Sequence, residues 1–291
     1  MAFFPLILVL VSTFMHAGWN LLARQHRGRD IFLPAQLFIA AVGLGPVLLA
    51  EWFGDPILPI VWRYLLWTGL FEAFYFLGLL QGYKNGDFNV VYPVARALPV
   101  LVLAFVDVWR GRPPSPWGWM GMLLISAGCL LAPLRSWHDF AWARYGNATM
   151  VWVLLAAGGT VGYTLIDKQA AELMPPGWNT AVRYGVFEFT ATFLFYWLIL
   201  KVVRYPTGPP LQRAMWLRAG VAGIFMFGAY ALVLWAYQLA THVSYVVALR
   251  QFSIVLGVVA AAVLFQEPAP GWRISMALMI VLGVAMISAA G

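Results

Sequence analysis

The segment HAGWNLLARQ, His16 to Gln25, closes an otherwise oily N-terminal run and carries a histidine and an asparagine where lipid-facing chemistry wants neither. The same order of residue types returns at TVGYTLIDKQ, Thr160 to Gln169: glycine, aromatic, small polar, two aliphatics, one variable position, base, glutamine. An offset of 144 aligns Gly18, Trp19, Asn20, Leu21, Leu22, Arg24 and Gln25 with Gly162, Tyr163, Thr164, Leu165, Ile166, Lys168 and Gln169. A second offset, 154, pairs Tyr83 with Tyr237, Arg96 with Arg250, Pro114 with Pro268 and Pro116 with Pro270, the difference being absorbed near RYPTGPPLQR. Self-similarity of this kind marks an internal duplication and governs the reading of everything else.

Hydrophobic residues make up 63% of the 291, and charged residues only 10%. No soluble core needs that much apolar surface, so the solvent for most of the chain is lipid. A span takes about 20 mostly apolar residues to cross roughly 30 Å of hydrocarbon. Such runs fall at 3–23, 31–53, 61–83, 89–109, 117–134, 150–172, 178–203, 214–239, 245–265 and 272–290, which gives an all-α membrane protein of ten helices. The runs are continuously apolar rather than alternating, which excludes a barrel. Tryptophans such as Trp52, Trp62, Trp109, Trp117, Trp178 and Trp216 lie near their ends, where amphipathic rings favour the interface. The first run lacks a basic n-region and a cleavage site, so it reads as a retained span. The longest connection, Arg135 to Thr149, leaves no room for a soluble catalytic or nucleic-acid-binding domain. Cys129 is the sole cysteine, which excludes an internal disulfide and a cysteine-built metal site; neither a cofactor nor a metal is expected.

The duplication divides the chain into a first five-helix repeat at 1–134, a connecting loop at 135–149 and a second five-helix repeat at 150–291. Five is odd, so the second copy enters the membrane from the opposite side. The result is an inverted repeat whose halves meet near the midplane, an architecture of alternating-access transporters.

The segment GWN ending in a base, the run GYKNGDFNVVYPVARALPVLVLAF and the C-terminal SYVVALRQFSIVLGVVAAAVLFQEPAPGWRISMALMIVLGVAMIS together resemble the EamA type of the drug/metabolite transporter superfamily. The resemblance covers essentially the whole chain. It implies that helices four and nine lie beside a central cavity enclosed by the first four helices of each repeat, with helices five and ten peripheral. It also implies export across a bacterial inner membrane. Related proteins often carry an acidic residue after helix four as well as helix nine; here Glu267 has Pro113 as its counterpart.

Ionisable groups within a span are costly and mark functional candidates. In helix one, Thr13, His16 and Asn20 share a face flanked by Trp19, and helix six answers with Thr160 and Thr164 flanked by Tyr163. Helix three presents Glu72, Tyr75, Phe76, Leu79 and Tyr83 as one stripe; its mate presents Tyr230 and Tyr237 without a carboxylate. Helix four holds Tyr92 and Arg96 beside Pro93 and Pro99, prolines that a transporter can use as a hinge. Helix nine repeats the arginine as Arg250. Two inward arginines can hold a carboxylate or phosphate through forked hydrogen bonds, or can serve structural ion pairs such as Arg96 with Glu72. Glu72 and His16 are the candidates for a coupling proton. Arg183 and Glu188 on helix seven face different ways and need partners elsewhere. Asp107, Asp167, Lys168 and Glu267, near span ends, are expected at the interface, and the glycine pairs in GLLQG and GGTVG, Gly158 and Gly162 in the latter, are expected at close helix contacts. No GxxxxGK[ST] loop is present, which argues against ATP-driven transport by this chain alone.

The favoured reading is a secondary transporter of a small polar or amphipathic metabolite, an amino acid or organic anion before a lipophilic cation, with no nucleic acid among its partners. The alternatives are a membrane scaffold whose polar residues only fasten helices and an intramembrane enzyme, against which the absence of a nucleophile or metal-ligand motif counts. The formal charge of +7 is spread over short loops, and topology explains it. One side collects Arg24, Arg27, Arg29, Lys84, Arg135, Arg144, Lys201, Arg204, Arg213, Arg218 and Arg273, and the other only Arg63, Arg110, Arg112 and Lys168. This bias puts both termini outside, whereas the family resemblance implies both inside. A reporter fused after Gly291 separates the two: extracytoplasmic activity is expected from the charge bias, and cytoplasmic activity overturns it.

Overall fold

The chain is described by a computed structural model covering residues 2–25, 30–85, 88–132, 134, 138, 147–205, 213–264 and 271–289. Every regular element among the described residues is a helix: α1 (Phe3–Gln25), α2 (Phe32–Phe53), α3 (Leu58–Asn85), α4 (Phe88–Trp109), α5 (Pro116–Leu131), α6 (Ala148–Leu173), α7 (Trp178–Val202), α8 (Arg213–Leu239), α9 (Val243–Leu249), α10 (Phe252–Leu264) and α11 (Gly271–Ala289). Their bounds fall within three residues of the apolar runs read from the sequence. Among the described residues, eight stretches are long and apolar enough to cross a membrane, with a mean hydropathy of 1.2 to 2.0 in their most apolar windows; Val243–Ala260, which spans α9 and most of α10, is one of them. Large apolar side chains such as Phe3, Phe14, Val42, Phe105, Val151 and Leu278 are exposed on the outside of the bundle. That is the arrangement a bilayer stabilises, and the chain is an integral, multi-pass membrane protein.

Local chemistry sets several helix ends. Ser115 accepts from the Gly118 N–H at 3.1 Å, with Pro116 following as the first helical residue of α5. Asn147 accepts from Thr149 N–H at the start of α6. Asp30 accepts from the Phe32 and Leu33 N–H groups ahead of α2, and Glu51 reaches over the next connection to the N–H groups of Ile57 and Leu58 at 2.9 Å each. Gly111 supplies the left-handed turn after α4, at φ 73°.

The hinge expected at Pro93 and Pro99 is not a break, for α4 runs unbroken from Phe88 to Trp109. The interruption lies instead in the ninth run, at Arg250 and Gln251. There the Arg250 carbonyl accepts a short-range backbone bond from Ser253 N–H at 3.2 Å together with bonds from the Arg96 guanidinium at 3.1 Å and Ser253 Oγ at 2.9 Å, and Gln251 N–H turns to the Ala248 carbonyl while its side-chain amide bonds Val247 O. Side chains thus supplement the backbone bonds of the turn, which allows irregular backbone inside the bundle.

Four helix pairs dominate the packing: α3 lies along α6, α1 along α8, α5 along α11 and α3 along α7. Without a hydrophobic force between helices in lipid, close approach of small residues provides much of the contact. In GLLQG, a Cβ on Gly78 would stand 2.6 Å from Ala156 N and Trp152 O, and one on Gly82 would meet Val91 at 2.7 Å. In GGTVG, a Cβ on Gly162 would enter the Phe71 ring at 2.3 Å, but Gly158 faces open space, and Gly159 is the residue pressed on α3, 2.7 Å from Phe71 O and Tyr75 N. The stripe alone could not say which member of the Gly-Gly pair turns inward. Gly158→Ala should therefore leave or raise the melting temperature in detergent, by helix propensity, while Gly159→Ala should lower it, overpacking costing about 1 to 3 kcal/mol. Equal effects at the two positions would contradict the packing described.

Candidate functional site

Helix α1 places His16, Trp19 and Asn20 on one buried face, as their spacing anticipates. Asn20 Nδ2 donates to the His16 carbonyl at 2.7 Å, and Trp19 Nε1 donates to His16 Nδ1 at 3.1 Å. The other ring nitrogen, Nε2, faces the guanidinium of Arg96 from α4. A neutral imidazole has one lone pair and one N–H, so His16 can accept from only one of these two donors. Arg96 also donates through Nε to Gln251 Oε1 at 2.7 Å and through Nη2 to the Arg250 carbonyl. The guanidinium accordingly joins α1, α4 and the break between α9 and α10. Gln251, absent from the candidates read in the sequence, holds its amide in place by donating to Val247 O at 2.8 Å. Its position next to Arg250 in an apolar run was the available signal.

Arg250 is buried, and its guanidinium lies 5.4 Å from the centre of the Tyr230 ring. None of the ion pairs among the described residues involves it. The Arg96–Glu72 pair considered from the sequence does not form. Glu72 accepts from Thr192 Oγ1 of α7 at 2.6 Å, while Arg96 is turned to His16 and Gln251.

Between these groups lies a cavity of about 290 Å³ with His16, Glu72 and Arg250 as its polar lining and Trp19, Tyr75, Tyr163 and Tyr230 among its aromatic walls. An adjoining space of about 250 Å³ shares Tyr75, Tyr163 and Arg250 and adds Arg96, Thr160 and Gln251. Of these spaces only about 20 Å³ and 10 Å³ can take the centre of a water-sized sphere, room for about one water each, so both are nearly closed and far below the roughly 300 to 1,000 Å³ of ordinary small-molecule sites. The rings interlock edge to face: Tyr163 touches both Tyr75 and Tyr230, each at 5.7 Å between centres, and Trp19 lies 5.0 Å from His16. Phe189 and Met226 complete the wall and carry no signal that would separate them from other apolar residues.

Of the sequence candidates, His16, Trp19, Glu72, Tyr75, Arg96, Thr160, Tyr163, Tyr230 and Arg250 therefore converge. Asn20 and Thr164 are buried but line neither space. Thr160 is further tied to its own helix by a bond from its hydroxyl to Ala156 O at 3.0 Å. The side chain of Tyr92 lies outside the described residues, as does Glu267.

Three residues expected at the interface are instead buried. Asp107 caps α9, accepting from the N–H groups of Val243 at 3.4 Å and Ser244 at 2.9 Å. Lys168 donates to the carbonyls of Tyr237 at 2.7 Å and Ala240 at 2.6 Å, closing the C-terminal end of α8. Asp167 accepts from Tyr184 OH at 2.8 Å and from Tyr230 OH. Position along a hydropathy profile says where a residue sits in depth, not whether a neighbouring helix covers it. Arg183, by contrast, finds the partners its orientation required, Glu51 and the Asp55 carbonyl.

The arrangement is a set of cationic and neutral donors facing a carboxylate across an aromatic-walled space inside a membrane bundle. Against known proteins, the chain matches a solved structure described as "Crystal structure of protein" over 98% of its own length and 96% of that chain, with a TM-score of 0.71 and 19% identity, which shows a shared fold. It is 29% identical over 120 residues to the "Uncharacterized transporter YwfM" of Bacillus subtilis (strain 168); the match covers 41% of this chain and 39% of that protein's length. The model of the EamA-like transporter family matches residues 3–133 and 147–289, nearly the entire chain in two segments. The chain belongs to the EamA-like transporter family.

Proposed function

We propose that the protein is a secondary active transporter in a bacterial inner membrane, exporting a small polar or amphipathic metabolite by alternating access around the central cavity. Two inverted five-helix repeats, α1–α5 and α6–α11, provide the moving parts. Several observations support the repeat. The family model matches the chain in two consecutive segments. The packing pairs exchange when α1 is matched with α6, α2 with α7, α3 with α8 and α4 with the α9–α10 stretch: α3 along α6 answers to α1 along α8, and α3 against α7 answers to α2 against α8. Gly69 and Gly223, 154 positions apart like the two arginines, sit at that last pair of crossings; their Cβ positions would meet Ala191 at 2.8 Å and Ala35 O at 2.9 Å.

The observation that carries the substrate reading is the Arg250 guanidinium in the cavity lining, which rests on the Tyr230 face and takes part in no ion pair among the described residues. An anionic group entering there gains charge-assisted bonds without displacing an existing ion pair of Arg250. An amino acid or organic anion suits this site better than a lipophilic cation, and Glu72, with His16, is placed to exchange a proton with the same space.

Uptake and counterflow in proteoliposomes, with radiolabelled neutral and acidic amino acids and short organic acids, test the reading. Arg96→Lys and Arg250→Lys keep the charge and lose the planar fork, so affinity should fall at unchanged membrane level. The corresponding Leu variants should abolish transport. Variants that melt earlier in detergent but bind with normal affinity in the folded fraction would make both arginines structural. Absence of flux for every compound with the unaltered protein would favour a scaffold.

A further inference from the structure

Behind the cavity, on the side away from Arg96, three carboxyl groups from three helices meet in the interior: Glu72 of α3, Asp167 of α6 and Glu188 of α7. All are buried, Asp167 and Glu188 at 0% exposure and Glu72 at 4%. Each interacts electrostatically with the other two. Glu72 is steadied by the Thr192 hydroxyl and Asp167 by the Tyr184 and Tyr230 hydroxyls, whereas the oxygens of Glu188 meet no N–H or hydroxyl donor and have the carboxyls of Asp167 and Glu72 as their bonding neighbours. The surroundings offer little counter-charge. Arg250 is the cation facing Glu72 and Glu188, and it stands across the Tyr230 ring. Tyr163 faces Glu72 from α6, Tyr237 faces Asp167 from α8, and the only titratable residue of α2, Glu51, is engaged with Arg183 and the start of α3. On α1 and α4 the nearest titratable groups, His16 and Arg96, are occupied with each other.

Three buried carboxyl groups beside one another, none of them in an ion pair among the described residues, cannot all be ionised, and carboxylate oxygens that meet no donor are costly. A ligand that answers both costs is a proton shared between neighbouring oxygens, which turns one acid into a donor for the next. A metal cation would answer the charge as well, but among the described residues no group of three or more His, Cys, Asp or Glu side chains is arranged to hold one. We infer that Glu72, Asp167 and Glu188 form one proton-binding site, linked to the substrate cavity at two points: Glu72, which lines it, and Tyr230, whose hydroxyl donates to Asp167 while its ring supports Arg250. A change in the proton content of the trio alters what Tyr230 OH is bonded to, and through its ring the seat of Arg250. The same link runs in reverse when an anion draws Arg250 away. This deepens the transporter reading, on which its purpose rests, by extending the proton site from Glu72 to the acids behind the cavity.

The test is infrared difference spectroscopy of the full-length protein reconstituted in lipid, titrated from about pH 5 to about pH 9 in water and in heavy water. The protein should show a protonated-carboxyl band that changes with pH, shifts in heavy water, and is unaffected when sodium chloride replaces choline chloride. Glu188→Gln and Asp167→Asn should each remove or split the band, whereas Asp107→Asn, a change at a helix cap outside the trio, should leave it. A band that is unchanged over the whole range would overturn the proposal, as would one that sodium abolishes at fixed pH. Both outcomes are read on the unaltered protein, so a variant that fails to fold does not hide them. They are also independent of flux: a titrating band in a protein that moves no test substrate would leave the proton site standing and remove the transporter reading.

Discussion

Arg96 is the interaction on which the centre of this bundle depends. One guanidinium, held inside a structure whose outside is lipid, has to be satisfied by protein alone, and two other segments supply the acceptors: His16 on α1, and the Gln251 amide and Arg250 carbonyl at the break between α9 and α10. The helix breaks at the same place, Arg250 and Gln251. The turn keeps a backbone bond from Ser253 N–H to the Arg250 carbonyl and presents that carbonyl to Arg96 as well, while the Arg250 side chain lies over Tyr230. The cavity wall and the irregular backbone therefore meet at one guanidinium.

The same accounting explains the buried charges away from the cavity. Asp107 and Lys168 close opposite ends of neighbouring helices, one feeding acceptors to the free N–H groups of α9 and the other donors to the last carbonyls of α8. Glu51 does the same for α3 while neutralising Arg183. Each is a charge bonded to helix-end groups that would otherwise be orphaned. Glu188 departs from this pattern, since the groups it meets are the carboxyls of Asp167 and Glu72 rather than helix-end donors. Glycine crossings between α3 and α6, and between α5 and α11, where Gly121 and Gly283 meet backbone to backbone, hold the helices near enough for such bridges to reach.

Much of this was legible in the residues. Apolar runs fixed the helices, and the recurrence of Gly-aromatic-polar segments together with the Arg96 and Arg250 spacing marked the centre before any coordinates were considered. Asp167 was misplaced although it follows Tyr163 and Thr164 by four and three positions, on the same stripe; its closeness to a run's end outweighed a periodicity that pointed inward. Glu188 was recognised as needing a partner, but its neighbours come from α3 and α6, and no local pattern encodes which helices α7 will meet. The break in the ninth run had no proline or glycine beside it as a signal: the prolines are in α4, and the side chain that bonds to the carbonyl at the break lies 154 residues away. Long-range polar contacts were the part of the fold that spacing along one helix could not supply.

The account stands or falls on whether the central cavity opens to both sides of the membrane. Cys129 is the one cysteine and is buried, so a Cys129→Ser background accepts a single reporter at Met226→Cys on the cavity wall. Its reaction with a membrane-impermeant thiol reagent, applied separately to right-side-out and inside-out vesicles, is the most direct measurement. Alternating access requires labelling from both sides, slowed from both by a transported anion. Labelling from neither side, or from one side alone under every condition, would contradict it.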